Sequence, residues 1–156
     1  MIQIDEYMGW PVRKLLLPEE QQIICTYCKT GKEPDRSVYD GNHNVYRLDK
    51  NGNVIWQITR VDYPFVNWES KHRHAQEEGL PGCIEPFIRF YVYRPDGTLV
   101  VEDLGPEYAA LPPDVVEWQP GYTVKLANLG FGTQWFSLDV ETGVANEITP
   151  IGLKAW

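Results

Sequence analysis

Apolar and aromatic residues alternate with polar ones in three pairs of short stretches along this chain, each pair hinged on a turn that ends in glycine. Val45-Tyr46-Arg47-Leu48 leads through Asp49-Lys50-Asn51-Gly52-Asn53 into Val54-Ile55-Trp56-Gln57-Ile58. Aspartate opens such a turn by bonding its own backbone, and glycine supplies the positive φ that closes it, so the segment predicts a β-hairpin. Phe90 to Val101 repeats the grammar around Asp96-Gly97, and Trp135 to Ala145 repeats it around Asp139 and Gly143. The turn glycines Gly52, Gly97 and Gly143 stand 45 and 46 residues apart. Such a period suits propeller blades, but 156 residues hold too few units for a ring of about four to eight blades. The pattern therefore predicts one mainly β domain over residues 1–156. Its expected form is an antiparallel β-sandwich, an open barrel or a partial propeller-like stack of hairpins, with at most one or two short helices.

Alternation also predicts faces. Tyr46, Leu48, Val54, Trp56 and Ile58 fall in inward sets, as do Phe136 and Leu138, while Arg47, Lys50 and Asn53 face water. Trp56 and Trp135 are expected in the core. Ile23 to Cys28 is β-branched and aromatic and predicts a further strand, followed by the loop composition Lys29-Thr30-Gly31-Lys32-Glu33-Pro34. The least β-like stretch, residues 62–82, predicts one short helix, capped by Asn67 or Ser70 and ended by Gly79. A second excursion, 104–114, carries prolines that forbid a central strand.

Composition adds size and charge. A chain of 156 residues with 43% hydrophobic residues can build a core, burying roughly 70% of the surface its unfolded form exposes. The net charge is 14 minus 22, or -8, which disfavours a nucleic-acid partner because phosphate binding needs an excess of Lys and Arg. The imbalance is lopsided: residues 1–94 hold 12 bases and 13 acids, whereas residues 95–156 hold Lys125 and Lys154 against nine acids. A field of one sign favours a partner of the other, so the acidic C-terminal part points to a basic macromolecule. Acids at the start and the lack of a long apolar run give the expectation of a cytoplasmic chain with no membrane association.

Candidate chemistry is sparse. Cys25 and Cys28 have the spacing of half a zinc site or a redox pair, but on a strand two residues three apart point to opposite faces. Cys83 with His72 or His74 would be needed to complete a ligand set, and no second Cys-x-x-Cys is present. Metal is therefore not expected, and neither is any cofactor. Gly-x-Ser-x-Gly, Walker and His-Glu-x-x-His motifs are lacking, and Gly130-Phe131-Gly132-Thr133 precedes a strand rather than opening a helix. Two carboxylates could meet in space as a hydrolase pair, and exposed aromatic rings could stack on sugars, which keeps an acid-pair hydrolase and a carbohydrate-binding β-sandwich as alternatives.

The string from Asn44 to Ile58, with Pro64-Phe65-Val66 after it and Leu138-Asp139-Val140-Glu141-Thr142-Gly143 near the end, resembles small bacterial β-rich proteins of the toxin-immunity kind. It also resembles quinoprotein-type propeller blades, in which a Leu-Asp-x-x-Gly turn joins paired strands. The immunity resemblance implies a non-catalytic protein that binds and blocks one cognate toxin domain, and the acidic second half makes a basic toxin nuclease the expected partner. The contact residues expected from charge and aromatic content are Glu102, Asp103, Glu107, Tyr108, Asp114, Glu117 and Trp118, with Trp68 and Glu69 beside them. Acids would steer and pair with Lys or Arg, and rings would supply buried anchors.

Overall fold

A computed structural model of the chain describes residues 4–63, 68–78, 85–100, 115–128 and 134–150. Two sheets hold nearly all of its regular structure. The first runs β1 (Glu6–Tyr7), β2 (Trp10–Leu16), β3 (Gln22–Thr26), β4 (Val45–Leu48), β5 (Val54–Gln57), all antiparallel. In the second the order is β6 (Thr59–Val61), β11 (Val144–Glu147), β10 (Trp135–Leu138), β9 (Thr123–Asn128), β7 (Phe87–Tyr93). Two pairings are parallel and join distant parts of the chain: β8 (Val115–Glu117) lies along Lys14 to Leu16 of β2, and β6 lies along β11. The mainly β, mostly antiparallel architecture expected from the sequence is what forms.

The sheets share one core. Leu15, Ile23, Cys25 and Val45 from the first sheet meet Phe87, Phe90, Val124, Leu126, Phe136 and Ala145 from the second. The Phe87 and Phe136 rings meet edge to face with centroids 5.0 Å apart. Burying each such side chain contributes about 1.5–3 kcal/mol, which holds the layers together. The first sheet is also covered on its other face, where Val12, Ile24, Tyr46 and Leu48 pack under Ile4 and Tyr7. All five residues of β3 are consequently buried.

The first two predicted hairpins use the same turn. Gly52 N–H donates to the Asp49 carbonyl at 3.0 Å and Asp49 N–H to the Asn53 carbonyl at 2.9 Å, and Arg94, Gly97 and Thr98 repeat both bonds at 2.8 Å. The third is one residue longer, closed between Asp139 and Val144, which accounts for the change in spacing from 45 to 46. All three glycines have positive φ, +86°, +88° and +78°. Asp49 and Asp139 accept backbone N–H bonds from the residues two further on, Asn51 and Glu141.

Two face assignments differ from expectation. Val54 is 46% exposed, whereas Arg47 turns inward, its Nε and Nη2 donating to Gln21 Oε1 and its Nη1 to the Val140 carbonyl. The register shifts between Arg47 and Leu48, and such an irregularity breaks strict alternation across the hairpin. Tyr46 and Leu48 are buried as expected but lie in the second cluster, because this sheet has two covered faces. Trp56 and Trp135 are half-buried, Trp56 against the main core and Trp135 beside Tyr91 with centroids 5.1 Å apart.

The described α-helices are α1 (Val38–Asn42), capped by Ser37 Oγ on Asp40 N–H, and α2 (Trp68–Glu77), which falls in the predicted excursion; a 3-10 turn spans Pro18–Glu20. No described helix is long and apolar enough to cross a membrane. The proline-bearing excursion 104–114 and Gly130 to Thr133 lie outside the described residues.

Candidate functional site

A cleft of about 770 Å³ opens on the seam where β2 and β3 of one sheet approach β7 of the other. Side chains stitch that seam. Asn44 Nδ2 donates to the carbonyls of Thr26 and Phe87, both at 2.8 Å, and its Oδ1 accepts from Phe87 N–H at 2.9 Å. Buried polar groups need such partners, and Asn44 here does for the two sheets what ladder bonds do within one.

Three arginines line the cleft. Arg13, on β2, lies over the Tyr27 ring at 3.9 Å and donates from Nη1 to the Ile88 carbonyl at 3.2 Å. Arg36 lies over the Trp10 ring at 3.8 Å and donates from Nη1 to Thr26 Oγ1 at 2.7 Å. Arg89, on β7, comes within 5.9 Å of the Tyr91 ring. A guanidinium stacked on a ring is attracted by the ring quadrupole and keeps its donors pointing outward from its edges.

The loop after β3 forms the outer wall and is stiffened from within. The Glu33 carboxylate accepts from the N–H groups of Lys29 at 2.6 Å and Thr30 at 2.8 Å and from Thr30 Oγ1 at 2.8 Å. These bonds, led by the one from Thr30 N–H, favour the ionised form and hold its pKa down at about 2. Trp10 Nε1 donates to the Pro34 carbonyl at 3.0 Å. Gly9, at φ +85°, leaves room for that contact, since a Cβ there would lie 2.6 Å from Pro34 Cγ.

The electrostatics of the cleft are unbalanced. Nε of Arg36 and both Nε and Nη1 of Arg89 are buried without a hydrogen-bond acceptor among the described residues. Burial lowers the Arg36 pKa from its ordinary value, a shift opposed by Tyr46, the two thiols and Asp40. Cys28 stands exposed at the rim, whereas Cys25 points into the core, its Sγ 3.4 Å from the Phe87 carbonyl and its pKa pushed up to about 12 by burial. The two cysteines diverge as expected, but β3 ends at Thr26, so Cys28 stands in the loop and not on the strand expected to run from Ile23 to Cys28.

A second arginine-centred assembly lies inside the second sheet. The Arg60 guanidinium lies over both the Phe87 and the Phe136 ring, 4.8 and 4.9 Å from their centroids, and pairs with Asp62 at 3.1 Å. Gln134 Nε2 donates to Asp62 Oδ1 at 2.8 Å and Glu147 Oε1 at 3.1 Å, and Asn128 Nδ2 reaches Glu85 Oε2 at 3.3 Å. Glu85 and Glu147 are the buried acids to which a hydrolase reading would turn, and amide groups of the chain occupy oxygens of both. Among the described residues no three His, Cys, Asp or Glu side chains are grouped to hold a metal.

Of the predicted contact residues, Glu102, Asp103, Glu107, Tyr108 and Asp114 lie outside the described residues. Glu117 is exposed at the end of β8, opposite Leu16. Trp118, next to it, is half-buried against the main core and donates from Nε1 to the Tyr122 carbonyl at 3.1 Å. Glu69 is exposed in the first turn of α2; Trp68 begins that helix, with its side chain outside the described part. Glu117 and Trp118 come together, but at the far end of β2 from Trp10, about 20 Å away at the rise of a strand. The cleft arginines were missed. Their signal was the concentration of 12 of the 14 bases in residues 1–94, where 13 acids mask it in the net count. Comparison of the chain with protein-family models, with curated proteins and with solved structures returns no match.

Proposed function

We propose that this chain is a non-catalytic binding protein that docks on a partner protein and blocks it, as immunity proteins do to a cognate toxin domain, with the arginine-lined cleft as its recognition element. The observation that carries this reading is the gathering of three guanidinium groups, on Arg13, Arg36 and Arg89, along one open cleft. Hydrogen bonds between a charged donor and a charged acceptor are roughly twice as strong as neutral ones, so a cleft that gathers several guanidinium groups favours an anionic group on the partner. Stacking on aromatic rings and a wall braced by Glu33 hold the donors ready, which limits the ordering cost of binding. At the other end of β2, Glu117 belongs to the acidic C-terminal part, which supplies the attraction for basic groups on the same partner.

The test is co-expression of the tagged chain with the product of the neighbouring upstream gene, followed by affinity capture. The partner should co-purify with the wild-type chain and be lost with the folded double variant Arg36→Glu/Arg89→Glu. Capture unchanged by the double variant would remove the cleft from the function.

A further inference from the structure

We infer that the cleft binds a carboxylate presented beside an apolar side chain on a partner peptide, and selects it over a phosphate. This deepens the partner-binding reading above and rests on it. Charge is the first argument. Among the described residues, Arg13, Arg36 and Arg89 line the cleft together with Glu33 and Asp35, so three cations less two carboxylates leave a formal +1. A monoanion neutralises that charge, whereas a phosphate group of about -1.5 to -2 would leave an excess of negative charge in a chain already at -8. Glu33 does not yield, because its oxygens are held by Lys29 and Thr30.

Shape is the second argument. The volume of about 770 Å³ far exceeds a carboxylate and falls among clefts that enclose a ligand with a body, roughly 300–1,000 Å³. Trp10, Tyr27, Pro34, Pro86 and Ile88 supply apolar walls to the cleft. Donor geometry is the third. Arg36 lies on the loop after β3 and Arg89 on β7 of the other sheet, both lining the cleft, and planar guanidinium forks match the two oxygens of a carboxylate.

The experiment uses the full chain and three blocked peptides: acetyl-Leu-Glu-Leu-amide, its Gln counterpart and its phosphoserine counterpart, with acetate and inorganic phosphate as free anions. Binding is read by calorimetry and by the Nε–H NMR signals of Arg36 and Arg89. The Glu peptide should bind saturably and move both signals, the Gln peptide should move neither, and acetate should bind more weakly than the Glu peptide for want of an apolar body. The phosphoserine peptide should bind about tenfold more weakly than the Glu peptide, and Arg36→Lys should weaken the Glu peptide about tenfold, since lysine keeps the charge and loses the fork. Equal or tighter binding of the phosphoserine peptide or inorganic phosphate, equal binding of the Gln peptide, or Arg signals unmoved by every probe would overturn the inference. Partner capture lost in the Arg36→Glu/Arg89→Glu variant alongside a phosphate preference would keep the binding role and remove only the carboxylate; capture unaffected by those variants would remove the cleft from that role and the inference with it, and no capture by the wild-type chain would remove the role itself.

Discussion

Arg60 and Arg36 are both stacked on aromatic rings, yet they have been put to opposite uses. Arg60 is 3% exposed at its side chain, lies over two phenylalanine rings, pairs with Asp62 and donates to the carbonyls of Asn42 and Glu85. Arg36 rests on one indole, reaches one hydroxyl and lines the open cleft. The first arginine is turned toward the chain's own carboxylates and carbonyls, the second toward an open cleft. Arginine stacked on an aromatic ring therefore says little about role; what the remaining donors meet decides it.

The comparison breaks most readily at Arg60. Arg60→Met leaves Asp62 buried without its cation and is expected to lower the unfolding free energy by about 3–5 kcal/mol, whereas Arg36→Met should stay within about 1 kcal/mol of the parent. Urea unfolding of the two variants side by side measures the difference, and equal losses would erase the distinction. Gln134→Ala, which strips amide donors from Asp62 and Glu147, should cost about 1–3 kcal/mol in the same assay and leave peptide binding in the cleft unchanged.

On the open side, Gly9→Ala places a Cβ against Pro34 at a φ that L-residues rarely adopt, with an expected cost of about 1–3 kcal/mol. Its loss of peptide affinity should exceed that of Gln134→Ala even when both are assayed well below their melting temperatures. The smallest effect belongs to Glu33. Its folded pKa of about 2 lies below the ordinary 4.5, so its contribution to the loop is present above pH 4.5 and fades as pH falls toward 2. A carboxyl NMR titration should place its midpoint near 2, and a midpoint near 4.5 would mean that the loop is not braced as described.

Local chemistry made much of this fold legible. The β-branched run at Ile23 and Ile24, the Asp49-to-Gly52 turn and the polar stretch around Glu69 to Glu77 each specify their own element, and each formed. What sequence patterns missed depends on distant partners. Arg47 and Val54 exchanged their expected exposures because the ladder shifts register beside them. The pairing of Lys14 with Val115 joins strands that no local pattern connects. The cleft is of this second kind: Arg13, Arg36 and Arg89 come from a strand, a loop and the opposite sheet, and a charge count over residues 1–94 sees them only as a balanced total.

The most direct measurement is the stability of Arg36→Met/Arg89→Met against that of the parent chain in urea. If these arginines are held for an outside acceptor, removing like charges and unmade donors leaves stability equal or raised by up to about 2 kcal/mol, while binding of the Glu peptide disappears. A loss of stability as large as that of Arg60→Met would show that the cleft arginines hold the fold together, and would contradict the account.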